Sequence, residues 1–285
     1  MRILVTGANG QLGTEINQRV DQYVNWEFFF CDVNDLDITN LKAVEEYVQQ
    51  NQITAIINCA AYTAVDPAES NQEVAHAVNV VGAKNLAVVA AKHKLKYIHT
   101  STDFVFDGKY HLPYIETDLP NPLSVYGSTK FIGEQEVLKA HPSAIIIRTA
   151  WLYSAHGGNF VKTMQRLGKE KDQLGVIFDQ VGTPTWAGDL ATTILEILSQ
   201  LEKGGKQVGL YHYSNEGLAS WYDFAVEIME LSELKCKVLP IETKEYPTPA
   251  PRPAYSVLNK GKIKADFKVE IPHWKASLKK CIFTM

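Results

Sequence analysis

The chain has 285 residues, 46% of them hydrophobic and 21% charged, and a formal net charge of -4. That is enough chain for one large domain or two modest ones around a sizeable core, in the proportions of an ordinary globular protein. A weakly acidic chain has no general field to draw in DNA, RNA or an anionic membrane, so any anionic ligand has to be met by local groups.

The N-terminus runs directly into the strand-like Ile3-Leu4-Val5 and then glycines. No basic segment with an apolar stretch and cleavage site precedes it, and no uninterrupted apolar run reaches 18 residues. A cytoplasmic protein that does not span a membrane is therefore expected. Gly7-Ala8-Asn9-Gly10-Gln11-Leu12-Gly13 follows the strand and opens a helix. Glycines there permit a tight turn and close approach to a pyrophosphate, whose charge the helix N-terminus favours. Phe28-Phe29-Phe30 reads as a second strand, and Asp32 at its end lies 19 residues beyond Gly13. An acid in that place binds adenosine ribose hydroxyls and repels a 2′-phosphate. The local chemistry leans to NADH, although a neighbouring rotamer change would admit NADPH. Asp37 and Ile38 fall near the adenine, or Asp37 is a helix-capping acid before Thr39.

Leu41 to Gln50 reads as a helix, Ala55-Ile56-Ile57 as a third strand, and Asn58-Cys59-Ala60-Ala61 as its small-residue end, where a cofactor can lie flat. A second helix, Val74 to Lys92, leads to Tyr97-Ile98 and then Thr100-Ser101-Thr102-Asp103, which puts a hydroxyl at the sheet edge where ligands bind. Tyr126-Gly127-Ser128-Thr129-Lys130 sets a phenol and an ammonium at i and i+4, on one helix face with Cβ atoms about 5–6 Å apart. A nearby cation favours phenolate and is expected to lower the tyrosine from its ordinary value of about 10. Tyr126 can then exchange a proton with a substrate oxygen. The spacing alone is common by chance. Its order after the glycine loop and the hydroxyl of the fourth strand is not.

Ala144 to Ile147 is a fifth strand. Strands alternating with helices imply right-handed crossovers and a parallel sheet buried on both faces. The expected fold is α/β, a Rossmann-like doubly wound parallel sheet with a smaller, mixed α/β substrate-binding lobe. The cofactor domain is expected over 1–150 plus about 184–208, and the lobe over 151–183 and 209–285. Helices are expected over Asp189 to Leu201, broken by Lys203-Gly204-Gly205-Lys206, and over Trp221 to Leu231. Pro247, Pro249, Pro251 and Pro253 form a stiff extended stretch. Cys31, Cys59, Cys236 and Cys281 lie scattered without a CxxC pair, as reduced packing residues would; no metal site is indicated.

These motifs together resemble the extended short-chain dehydrogenase/reductases and, within them, the dTDP-4-dehydrorhamnose reductase family. The likeness rests on Val5-Thr6-Gly7 with its loop, Ala60 to Asp66, Ser101 to Gly108, Tyr126 to Lys130, Arg148 to Tyr153, Asp179 to Thr185 and Tyr246 to Pro253. It implies that Gly10, Gln11 and Leu12 contact the pyrophosphate in a cofactor-binding loop that includes Gly7 and Gly13, and that Asp32, Asp37 and Ile38 surround the adenosine. It further implies that Ala60, Ala61, Tyr62, Thr63 and Thr100 line the nicotinamide side. Thr102, Asp103 and Trp151 meet the sugar, and Tyr126 and Lys130 complete the site, Lys130 gripping the nicotinamide ribose. Trp151 stacks on the deoxysugar or serves as a buried hinge aromatic. Arg252 clamps the diphosphate or is a surface residue after a proline rod. Magnesium follows from the resemblance alone, with Glu15 and Asp189 as candidates that nothing marks as more than solvated helix acids.

The implied activity is NADH- or NADPH-dependent reduction of dTDP-4-dehydro-L-rhamnose by a cytoplasmic monomer or homodimer, the last step toward dTDP-L-rhamnose for cell-surface polysaccharide. Its partner is a small nucleotide sugar; neither nucleic acid nor membrane is expected. One rival is a dehydratase or epimerase of the same fold. A related dehydratase carries a glutamate after the Thr-Asp pair to remove a sugar proton, where this chain has Phe104, which cannot act as a base. The other rival is a non-catalytic partner like the regulatory subunit of methionine adenosyltransferase. An intact Thr102, Tyr126 and Lys130 set speaks for catalysis.

Overall fold

The computed structural model describes residues 1–285. Six strands form one parallel sheet: β1 (Arg2–Thr6), β2 (Glu27–Cys31), β3 (Ala55–Asn58), β4 (Lys96–Thr102), β5 (Ile145–Thr149) and β6 (Gly209–His212). Their order across the sheet is β6-β5-β4-β3-β1-β2. The five expected strands are all present. The chain steps outward from β1 to β2 and returns across β1 to β3, so the direction of winding reverses between β1 and β3. Ligands of open α/β sheets bind at such a reversal, beyond the carboxyl ends of the strands.

The pleat explains why the strand runs are apolar throughout. Ile3 and Val5 of β1 enter a core with Ile57, Ile98, Ile147, Leu190 and Ile194. Leu4, between them, points to the opposite face and packs with Ile56, Leu86, Val89, Val137 and Ile146. Neighbouring side chains alternate faces, and here both faces are covered by helices. Those helices are α1 (Gln11–Asn17), α2 (Leu41–Gln50), α3 (Gln72–Lys92), α4 (Val125–Ala140), and later α6 (Ala187–Glu202). By length and composition α3 could cross a membrane. Its Ala83, Leu86, Ala87, Val89 and Ala90 are instead buried in the second core. A π turn runs through it over Ala77–Gly82.

A third core joins Tyr153, Val161, Met164, Leu174, Phe224, Ile228, Trp274 and Leu278. It is built from α5 (Phe160–Glu170), α7 (Trp221–Leu231), α9 (Trp274–Phe283) and the parallel strand pair Gln173–Ile177 and Lys237–Ile241. Cys236 and Cys281 pack in this core, and Cys31 packs in the second. The boundary expected at residue 209 is displaced, because Gly209–His212 pairs along β5 as the sixth strand of the large sheet. Downstream, α8 (Gly261–Phe267) also returns to that sheet, with Ile263, Phe267 and Val269 in its core. The chain thus leaves the third core twice before α9 closes it.

Candidate active site

A cavity of about 890 Å³ opens at the reversal between β1 and β3. Gly7 turns there with φ +69°, and a Cβ on it would stand 2.6 Å from the backbone N of Ala60. A Cβ on Gly13 would stand 2.4 Å from the carbonyl oxygen of Gly7. Both glycines are therefore required by contact, and α1 begins directly beneath the loop. Gly10 is its N-cap and offers no side-chain cap, which leaves the first N–H groups of α1 to a ligand. Asn58 ties the two strand ends together, its Oδ1 accepting from Thr6 Oγ1 at 2.7 Å and from the N–H of Ala60 at 3.0 Å.

Asp32 sits across the loop, accepting from the N–H groups of Asn9 (3.0 Å) and Val33 (2.8 Å). Asp37 and Ile38 line the same end of the cavity. The cap of α2 is Asn40, not Asp37, since Asn40 accepts from the N–H of Ala43. Asp37 instead closes a turn by accepting from the N–H and hydroxyl of Thr39 at 2.9 and 2.7 Å. Ala60, Ala61, Tyr62 and Thr63 also line the cavity, as do Gln11 and Leu12. Asn79, in the π turn of α3, clasps both backbone groups of Tyr62 and also donates to Thr129 Oγ1 of α4 at 3.1 Å.

Thr100, Thr102 and Asp103 follow at the end of β4, and α4 presents Tyr126 and Lys130 beside them. Ser124 caps α4 by accepting from the N–H of Gly127. A Cβ on Gly127 would fall 2.2 Å from the carbonyl oxygen of Phe104, so this glycine lets the helix reach the strand end. Phe104 meets the Tyr126 ring edge-on, with centroids 5.5 Å apart. It lines the cavity and is no simple core residue. Lys130 is 2% exposed and donates to the Thr100 carbonyl at 2.6 Å. Burial pulls its ammonium down to about 8, opposed by the Glu134 carboxylate.

The expected lowering of Tyr126 does not occur. Burial pushes the phenol up to about 12; the Thr102 hydroxyl opposes the shift and the Asp103 charge adds to it. Lys130 is turned to the Thr100 carbonyl and is not among the groups that move it. Asp103 is 1% exposed, and burial lifts its carboxyl to about 6, opposed by the Ser256 and Thr102 hydroxyls. Thr102 donates to Asp103 at 3.1 Å and accepts from the N–H of Phe104 at 3.2 Å.

At the far end of the cavity Trp151 has a left-handed backbone, φ +47°, an uncommon and strained place for a bulky residue. Its indole lies parallel to that of Trp221, centroids 3.6 Å apart and planes 5° apart, and a Cβ on Gly182 would stand 2.6 Å from the ring. With Trp221 against one face, the ring is not open on that side for the expected sugar stacking. Trp221, Phe160 and Gly157 to Asn159 also line the cavity and were not foreseen. The only early signal was Trp221 at a helix start.

Arg252 lines the cavity and is no loose surface residue. Its Nη1 and Nη2 donate to the two oxygens of Asp66 at 2.9 and 2.7 Å. Glu15 and Asp189 are likewise not solvated. Glu15 is 2% exposed and accepts from Arg19 and Ser154, while Asp189 accepts from Asn215 and Ser277. With a guanidinium already on Glu15, these acids do not fit a magnesium site. The glycine cradle, the uncapped helix start and the acid beside them do fit a nicotinamide dinucleotide.

A glycine cradle at the β1/β3 reversal, with Thr102, Tyr126 and Lys130 gathered at the end of β4, defines a protein of the short-chain dehydrogenase/reductase class. More narrowly, the chain belongs to the RmlD substrate binding domain family, whose profile matches residues 1–285. It is 42% identical to the dTDP-4-dehydrorhamnose reductase of Aggregatibacter actinomycetemcomitans over 98% of this chain and 97% of that protein. A solved dTDP-4-dehydrorhamnose reductase from Clostridium acetobutylicum is 45% identical, with a TM-score of 0.94 over 100% of this chain and 99% of the other. One from Bacillus anthracis, solved in complex with NADP, is 38% identical with the same TM-score and coverage.

Proposed function

We propose that this chain reduces the C4 keto group of dTDP-4-dehydro-L-rhamnose at the expense of NADH or NADPH, yielding dTDP-L-rhamnose. The observation that carries this reading is the collection of Thr102, Tyr126 and Lys130 in one cavity with the glycine cradle, beside an apolar Phe104. When bound, the nicotinamide supplies the hydride. Tyr126 donates its proton to the sugar oxygen as negative charge develops there. A phenol held up by burial keeps that proton at neutral pH, which suits reduction. Thr102 donates to the same oxygen, turning its hydroxyl away from Asp103. Lys130 grips the nicotinamide ribose and, once Tyr126 has given up its proton, offsets the phenolate charge. Gly7, Gly10, Gln11, Leu12 and Gly13 hold the pyrophosphate; Asp32, Asp37 and Ile38 hold the adenosine; Ala60, Ala61, Tyr62, Thr63 and Thr100 hold the nicotinamide side. Asp103 and Trp151 meet the sugar and Arg252 its diphosphate. The working form is a cytoplasmic monomer or homodimer.

Asp32 faces a ribose in this reading, so Asp32→Ala removes hydrogen bonds and also the repulsion of a 2′-phosphate. The ratio of kcat/KM for NADPH over NADH should rise. A ratio that stays put or moves toward NADH would show that Asp32 lies elsewhere.

The reaction class is tested with two substrates. A reductase oxidises one cofactor for each dTDP-4-keto-6-deoxy-L-sugar consumed. A dehydratase recycles its cofactor and needs a base where Phe104 stands. With dTDP-glucose we expect no 4-keto-6-deoxy product; its appearance at catalytic rates would overturn the reductase reading.

A further inference from the structure

Of the residues lining the cavity, only Lys130 and Arg252 are cationic. Lys130 is buried at the reacting end against the Thr100 carbonyl. A nucleotide sugar brings a diphosphate, so the outer charge falls to Arg252 and to backbone N–H groups.

The way Arg252 is held leaves two of its five N–H donors unused. A guanidinium has five N–H donors. Nη1 spends both of its hydrogens, one on Asp66 Oδ1 at 2.9 Å and one on the carbonyl of Ala250 at 2.7 Å. Nη2 spends one on Asp66 Oδ2 at 2.7 Å. The Nε hydrogen and the second Nη2 hydrogen have no partner in the protein, and together they form the side-on edge that matches two phosphate oxygens. Asp66 also accepts from the N–H of Ala250 at 3.1 Å. One carboxylate thus fixes both the proline-rich strap and the arginine it carries, across 186 residues of chain.

We propose that Asp66 is a positioning residue for substrate: it grips Arg252 end-on so that the free side-on edge receives the diphosphate of the nucleotide sugar. This rests on the nucleotide-sugar reading above. The rival is competition, in which Asp66 occupies the guanidinium in place of phosphate and has to be displaced. The two differ in sign. Positioning makes Asp66 help a diphosphate bind, whereas competition makes it hinder.

The test measures dTDP binding by calorimetry to the NADPH-saturated protein, for the parent, Asp66→Asn, Arg252→Lys and the double variant. We expect Asp66→Asn to weaken dTDP about tenfold, the size of one well-aligned charged contact. NADPH affinity should be unchanged, and in turnover the loss should fall on KM with kcat little altered. In the Arg252→Lys background the same change should add almost nothing, because the two residues act as one unit. Tighter or unchanged dTDP binding in Asp66→Asn would overturn the proposal, as would losses that simply add in the double variant. A general loosening of the fold would weaken NADPH as well, and that result also counts against it. If the parent binds NADPH but not dTDP, the nucleotide-sugar reading itself fails, an outcome separate from the others. Should Asp66→Asn not fold, Asp66→Glu keeps the charge while displacing the guanidinium, and is expected to weaken dTDP with NADPH spared; unchanged dTDP binding there would overturn the proposal.

Discussion

Replacing Tyr126 by Phe should cost on the order of 10²–10⁴ in kcat, the usual range for removing a general acid, while leaving cofactor affinity almost unchanged. The ring stays against Phe104, so packing is conserved and only the proposed proton donor is lost. The pH profile separates this donor from its neighbour. Burial holds the Tyr126 phenol up to about 12, so its proton is retained through the usual assay range. Lys130 titrates near 8. The kcat/KM of the parent should therefore fall as pH rises through about 8, as the ammonium is lost. The residual activity of Tyr126→Phe should show the same inflection. Near-normal turnover of the purified variant would sink the assignment, and an inflection that vanished with the phenol would give the titration to Tyr126.

The other large effect concerns stability. Glu134 lies one turn beyond Lys130 on α4 and meets Arg148 of β5 through two bonds of 2.9 and 2.7 Å, both side chains nearly inaccessible. Arg148 also stands over the Phe106 ring at 5.0 Å and 3.5 Å from His212, which burial and the neighbouring cation hold down to about 3 and so uncharged. Removing the carboxylate leaves a buried guanidinium without its counter-charge, a change that costs about 3–5 kcal/mol. Glu134→Gln keeps the shape and should lose that amount in denaturant unfolding at neutral pH. A loss under about 1 kcal/mol would mean that water or another group compensates Arg148.

The five strands that begin the sheet were readable because burial on both faces leaves apolar runs such as Ile145 to Ile147. The sixth was not, since Gly209-Leu210-Tyr211-His212 is short and ends in the polar cluster around Arg148. Within the site, Gly7, Thr102, Tyr126 and Lys130 carry spacing that chemistry recognises. Asn58, Asn79, Asp66 and Trp221 each reach a partner distant in sequence, from 17 residues for Asn79 and Tyr62 to 186 for Asp66 and Arg252. In sequence an asparagine or aspartate of this kind looks like any surface polar group. The proton affinity of Tyr126 is hidden from the sequence for a related reason. The i, i+4 lysine is visible in the string, whereas the burial that outweighs it and the carbonyl that captures the ammonium exist only in the fold.

The late arrival of the sixth strand has a consequence for synthesis. β5 ends at Thr149, and the strand that covers its outer edge begins at Gly209, about 60 residues later. At ribosomal rates of about 5–20 residues per second, the outer edge of β5 stays uncovered, its backbone donors and acceptors unpaired by β6, for ~3–12 s. Such an edge invites pairing with another nascent chain. The period lengthens when translation is slow, so pausing over residues 150–208 prolongs the exposure of the β5 edge. A fragment cut at residue 150 would keep that edge open permanently, and no choice of buffer would close it.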